Sequence, residues 1–125
     1  MTVREAYSGA MALLGETGGA GLSNQPQTVN RILAIVNAVY ADLYTVVRRG
    51  QYDFHPVHDI DDVIWLPRRV CNDCLLYGVA MHIAMGEDDA NRQAVMASLY
   101  NQKRAVASRI SKVKDVYGYA LSDDE

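Results

Sequence analysis

Apolar positions recur in steps of three and four over four stretches of this chain, a pattern that predicts a mainly α protein, a small bundle of about four helices. In the first stretch Val3, Ala6, Ala10, Met11, Leu13 and Leu14 form a modest stripe. Thr2 and Glu5 at its start read as a capping box, each side chain accepting from the other's backbone N–H. The second stretch is the strongest, with Ile32, Leu33, Ile35, Val36, Val39, Tyr40, Leu43, Tyr44, Val46 and Val47 covering a wide face. Ser23 or Asn24 is placed to cap it and Pro26 suits its first turn. Arg48, Arg49 and Gly50 close it. Its β-branched residues also suit a strand, but a run of about twenty residues without a turn signal is too long for one. The third stretch opens at Pro67, carries Val70, Cys71, Cys74, Leu75, Val79, Ile83 and Met85, and stops at Gly86. Gly78 inside it predicts close approach by a neighbouring helix or side chain. The fourth follows Glu87, Asp88 and Asp89, whose charge suits a helix N-terminus. It repeats Arg92, Met96, Leu99, Lys103, Val106, Ile110 and Val113, a nearly regular heptad seam spanning about 36 Å from 90 to 113.

Three segments lack this period. Residues 15–24 hold the run GETGGAG and read as a flexible, glycine-rich linker. Residues 50–66, GQYDFHPVHDIDDVIWL, predict a long irregular loop or a short hairpin between the second and third helices. A loop of that length in a compact domain points to function or to an assembly contact. Residues 115–125, DVYGYALSDDE, read as a flexible C-terminal tail. The expected organisation is one helical domain over 1–125: an N-terminal helix in 1–14, the linker, a core bundle in 25–114 and the tail.

Composition narrows the function classes. A chain of 125 residues, half of them apolar and 22% charged, can bury a core without a disulfide or metal staple. Fifteen acidic against twelve basic residues give a net charge of −3, which argues against a dedicated nucleic-acid binder. No apolar run approaches the roughly 18 residues of a membrane span. The opening MTVREAYSGAMALLG carries Arg4 and Glu5 where a signal peptide would be continuously apolar. The expectation is a soluble intracellular protein. Two cysteines three positions apart are not a disulfide framework.

Candidate chemistry is sparse. His55-x-x-His58 and Cys71-x-x-Cys74 supply a zinc donor set, and a small zinc-binding regulatory or nucleic-acid-binding module is the alternative reading. Against it, Cys71 and Cys74 fall within a predicted helix, where i and i+3 share one core-facing side. His82 has no motif-placed nucleophile beside it, and GETGGAG lacks the Lys-Ser/Thr of a phosphate loop. Asp53, Asp59, Asp61 and Asp62 lack the spacing of a calcium loop. Lys103, Arg104, Arg109, Lys112 and Lys114 read as solvated helix charge or as inter-subunit salt bridges. Eight tyrosines against one phenylalanine suit protein–protein contacts. The sequence calls for no enzyme activity, no cofactor and no metal.

The run WLPRRVCNDCLLYGVAMHIAMGEDDANRQAVMASLYNQKRAVASRI resembles the head-completion, or head-to-tail adaptor (connector), proteins of tailed bacteriophages. The shared elements are a leucine-proline helix start, the apolar Tyr77-Gly78-Val79-Ala80, the turn from Gly86 to Asp89, and Leu99-Tyr100-Asn101 with a basic continuation. The resemblance covers about residues 25 to 115 and is best over 65 to 105. It implies a structural virion protein of the phage neck, assembled in the bacterial host cytoplasm. Copies of it would form a ring, commonly of twelve, between the portal protein and a stopper or tail-completion protein. The ring would extend the channel through which double-stranded DNA passes without sequence-specific binding, and no membrane is involved. It also implies partner contacts in the loop, at Tyr52, Phe54, Ile64 and Trp65, and in the tail, at Tyr117, Tyr119 and Leu121.

Overall fold

The computed structural model describes residues 1–15, 25–48 and 53–117, with side chains placed through residue 110. Four helices carry the fold: α1 (Val3–Leu13), α2 (Pro26–Val47), a composite α3, and α4 (Ala90–Tyr117). Helix α3 runs without a break from a short turn, Arg68–Val70, through a π-helical segment, Cys71–Leu75, into Leu76–Gly86. Among the described residues the only β pairing is an isolated bridge between Thr2 and Val63. The mainly α expectation therefore holds, and the described residues of the loop, 53–66, form no hairpin.

Helix α3 is central. Val70, Cys71, Cys74, Leu75, Gly78, Val79, Ala80, Ile83 and Ala84 are all buried, leaving it apolar on most sides, as a helix packed against several neighbours must be. Helices α1, α2 and α4 all pack on it. Gly78 makes this closeness possible: a Cβ there would lie 2.6 Å from Val39 Cγ1 and 2.8 Å from Tyr100 Cε1. The expected close approach is thus a meeting of α2 and α4 across α3. Met85, read as part of the apolar run, is instead 48% exposed. It shares the last turn of the helix with buried Ile83 and Ala84 but lies on the outer side.

The capping box of α1 forms as expected, with Glu5 N–H donating to Thr2 Oγ1 and Thr2 N–H to Glu5 Oε1. The two remaining free donors of the first turn, Val3 and Arg4 N–H, go to Asp62 and Ile60 carbonyls of the distant loop. Helix α2 begins at Pro26 with Gln25 as its cap residue and no side-chain cap bond. Ser23 and Asn24, expected as caps, lie outside the described residues, as do 16–24 of the linker, Arg49, Gly50 and Tyr52.

Helix α4 departs from the expected seam. Met96, Tyr100 and Ala107 are its buried positions, while Val95 and Val106 are 55% and 44% exposed and Arg92 is exposed. The buried stripe is rotated relative to the 92–99–106 register because Tyr100, not Leu99, fills the space over Gly78. The helix also runs to Tyr117, through the first residues of the segment read as tail, and so spans about 42 Å. Residues 118–125 lie outside the described residues.

A polar clasp joins α4 to α2. Arg104 donates from Nε to Asp42 Oδ2 at 2.7 Å and from Nη2 to Oδ1 at 2.9 Å, and the Tyr100 hydroxyl donates to Oδ2 at 2.6 Å. Arg104 is therefore satisfied within the chain rather than left as solvated charge or for a neighbouring subunit. Lys103 likewise lies 4.8 Å over the Tyr77 ring. The Arg104 hydrogen bonds, with help from Tyr100, hold the Asp42 carboxyl below its ordinary range. A depressed carboxylate stabilises the fold above its unfolded pKa, and that contribution disappears as pH falls through the lower folded value. Asp42→Asn is therefore expected to flatten the acid-side decline of the unfolding free energy below about pH 4, measured by urea titration across pH. Arg104 and Asp42 side chains are 38% and 40% exposed, so water screens them, and Asp42→Ala is expected to cost only about 1–2 kcal/mol.

Candidate functional site

The loop is not a free arm. Asn37, a polar residue on the otherwise apolar face of α2, donates from Nδ2 to the Val57 carbonyl at 2.9 Å and accepts the Val57 N–H at Oδ1 at 2.8 Å. Its amide serves the loop as a second backbone strand would. Further on, the Asp62 carboxylate accepts from His58 and Asp59 N–H, Asp59 accepts from Asp61 N–H, and Asp62 N–H donates to the Asp59 carbonyl. This closes a turn at 59–62. Ile64 N–H donates to the Met1 carbonyl and Trp65 N–H to the Tyr40 hydroxyl at 3.0 Å. Val57, Ile60, Ile64 and Leu66 are buried beneath.

The acids that imitate a metal loop are thus engaged one by one. Asp59 and Asp62 hold the turn, Asp61 pairs with Arg4 at 3.1 Å, and Asp53 accepts from the Tyr44 hydroxyl. That last bond lowers the Asp53 pKa and raises that of Tyr44. His55 and His58 are exposed on the loop, whereas Cys71 and Cys74 are 0% and 1% exposed in the core. Burial pushes the two thiols up to about 11 and about 12, so both are neutral at pH 7. Among the described residues no three His, Cys, Asp or Glu side chains are grouped to hold one metal ion. The zinc set is therefore not assembled. Both thiols are expected to react with Ellman's reagent at pH 8 only at the rate of opening of the native fold, and promptly in urea.

Of the loop residues expected to meet a partner, the structure divides the set. Ile64 is 1% exposed and belongs to the core, because the Met1 and Tyr40 hydrogen bonds on either side turn it inward. Phe54 is half-buried and packs edge-on to Tyr40 and Tyr44, with ring centroids 4.9 Å and 5.4 Å away. Trp65 is the outward residue, 71% exposed, with Val63 beside it at 48%. Beneath Trp65 an open pocket of about 300 Å³ is lined by Tyr40, Tyr44, Arg48, Asp53, His55 and Trp65. Tyr117 continues the backbone of α4, and Tyr52, Tyr119 and Leu121 lie outside the described residues.

The site that results is a rigidly mounted aromatic surface. Sequence reasoning found its Trp65 but missed its supports, Asn37 and Tyr40; a lone Asn at a helix position flanked by Val36, Val39 and Tyr40 was the available signal. Chemically it offers apolar and tyrosine rings with Arg48, Asp53 and His55 around them, the make-up of a contact surface. No helix among the described residues is long and apolar enough to cross a membrane. No protein-family model, no curated protein and no solved structure matches the chain.

Proposed function

We propose that this chain is a structural subunit of the neck of tailed bacteriophages. Copies of it, twelve by analogy, form a ring between the portal protein and the stopper or tail-completion protein, completing the head and extending its channel. Double-stranded DNA passes through without being read. The role is architectural, not enzymatic, and its place is the virion. The resemblance over residues 65 to 105 motivates the reading, and the small α-helical bundle is compatible with it. The observation that carries it is Trp65: a large apolar side chain 71% exposed on a loop tied down at Val57, Ile64 and Trp65 itself. A monomer gains nothing from holding a tryptophan in water on so rigid a mount, and such anchors concentrate binding energy at interfaces. Net charge of −3 also suits a conduit that DNA phosphates should not adhere to.

The test is electron microscopy of the protein mixed with the portal protein encoded beside it. The expected result is an added ring on the portal, lost with Trp65→Ala. Because Trp65 is exposed, that variant is expected to unfold within about 0.5 kcal/mol of the parent. Failure of the unmodified chain to bind the portal rules the reading out.

A further inference from the structure

Two limbs of the loop meet α2 side by side: Asp53 accepts from the Tyr44 hydroxyl, and the Trp65 backbone N–H donates to the Tyr40 hydroxyl. Between them lies the hollow of about 300 Å³. Tyr40 and Tyr44, about one helical turn apart and both buried, form its floor, while Asp53, His55 and Trp65 are exposed at its rim. Hydrogen bonding leaves this hollow with donors in excess. Tyr40 is 1% exposed, and its hydroxyl accepts from Trp65 but donates to no acceptor among the described residues. A buried hydroxyl proton without an acceptor is costly, so what enters the hollow gains by accepting from it. The Trp65 indole N–H at the rim also has no acceptor among the described residues. The one carboxylate in the lining, Asp53, already accepts from Tyr44.

Charge narrows the occupant further. Asp53 and Arg48 both line the hollow, so a lysine or arginine side chain would meet Arg48 and a carboxylate would meet Asp53. An uncharged group suits it better than either, and the three aromatic rings favour a compact apolar one. One peptide chemistry meets all of these conditions. Proline has an apolar ring, no charge, no N–H and a carbonyl, and a run of prolines in the polyproline II helix leaves every carbonyl free to accept. We infer that the hollow is the docking site for a proline-containing segment in that conformation, carried by the protein that Trp65 meets. About one turn of it, three residues over about 9 Å, suits a hollow at the small end of ligand sites. The backbone of such a segment is fixed before it binds and the tied loop is fixed too, so little freedom is lost on docking. The inference rests on the reading of Trp65 as a partner contact, whichever protein supplies the partner.

Blocked decaproline added to the full chain tests this. Trp65 is the chain's single tryptophan, so its emission reports on this site alone. A saturable blue shift is expected, with a dissociation constant of about 0.01–1 mM, and the one indole N–H cross-peak of a nitrogen–proton NMR spectrum should move along the same curve. Trp65→Ala is expected to weaken binding about tenfold or more in calorimetry, with melting unchanged because the ring it removes is exposed. A blocked Gly-Ser peptide of equal length and tetramethylammonium are expected to leave the emission as it was. No response to about 5 mM decaproline, an equal response to the Gly-Ser peptide, tighter binding of tetramethylammonium, or undiminished binding by Trp65→Ala would each overturn the inference. Portal binding is read separately. A chain that joins the portal but ignores decaproline defeats this inference alone, and one that binds decaproline but ignores the portal defeats the neck reading alone.

Discussion

Gly78→Val is expected to destabilise the protein by about 3 kcal/mol, and Gly78→Ala by about 1–2 kcal/mol, in urea unfolding followed by circular dichroism. Two effects oppose each other in the alanine variant. Replacing a mid-helix glycine gains about 1 kcal/mol of helix propensity. The new Cβ, however, would sit 2.6 Å from Val39 Cγ1 and 2.8 Å from Tyr100 Cε1. Neither neighbour yields easily: valine is stiff at χ1, and Tyr100 is tethered by its hydroxyl to Asp42. Overpacking therefore outweighs propensity. Val39→Ala should offset part of the loss, so the double variant with Gly78→Ala is expected to be less unstable than the two single costs added. Gly86 makes the internal contrast. The atoms its Cβ would meet belong to the guanidinium end of Arg31, which can swing away, and Gly86→Ala is expected to be neutral or slightly stabilising.

The second large effect belongs to Asn37. Asn37→Ala removes a donor and an acceptor together and leaves both backbone groups of Val57 without their partners in a half-buried position. The expected cost is about 2–3 kcal/mol, larger than that of a surface hydrogen bond because the groups left behind are desolvated. Hydrogen exchange separates this from a general loss of stability. The Val57 amide is expected to lose its protection before the core of α3 does, since loop and core can open separately. Asn37→Asp keeps the acceptor and the shape but sets a carboxylate against the Val57 carbonyl, and is expected to fall close to the alanine variant. An Asn37→Asp variant as stable as the parent would show that the Nδ2 bond to the Val57 carbonyl contributes nothing, and an Asn37→Ala variant as stable as the parent would show the same of the whole clip. Loosening the loop also frees Trp65 from its mount, so if the chain is the neck subunit proposed above, portal binding should weaken in either variant even though neither substitution touches the exposed ring.

The helices were legible because each carries its own signal: the Thr2–Glu5 box, the apolar face of α2, the glycine stop at Gly86, the acids before α4. Those are local preferences, set within a turn or two of the residue that expresses them. The π-helical turn at Cys71–Leu75 had no such mark, and neither did the extension of α4 to Tyr117.

What the amino-acid order determined by itself was thus the helical class, the approximate bounds of the elements and the need for a close crossing at Gly78. Tertiary structure alone decided which side of α4 faces inward, that Arg104 closes on Asp42, that Ile64 turns in while Trp65 turns out, and that the two cysteines stand apart from the two histidines. The reason is physical. A heptad offers two adjacent stripes of similar hydrophobicity, and a loop offers alternating side chains, so the choice between them rests on what the distant surface supplies. Here those suppliers were the hollow over Gly78, the Asn37 amide, the Tyr40 hydroxyl and the carbonyls that the N-terminus of α1 needed.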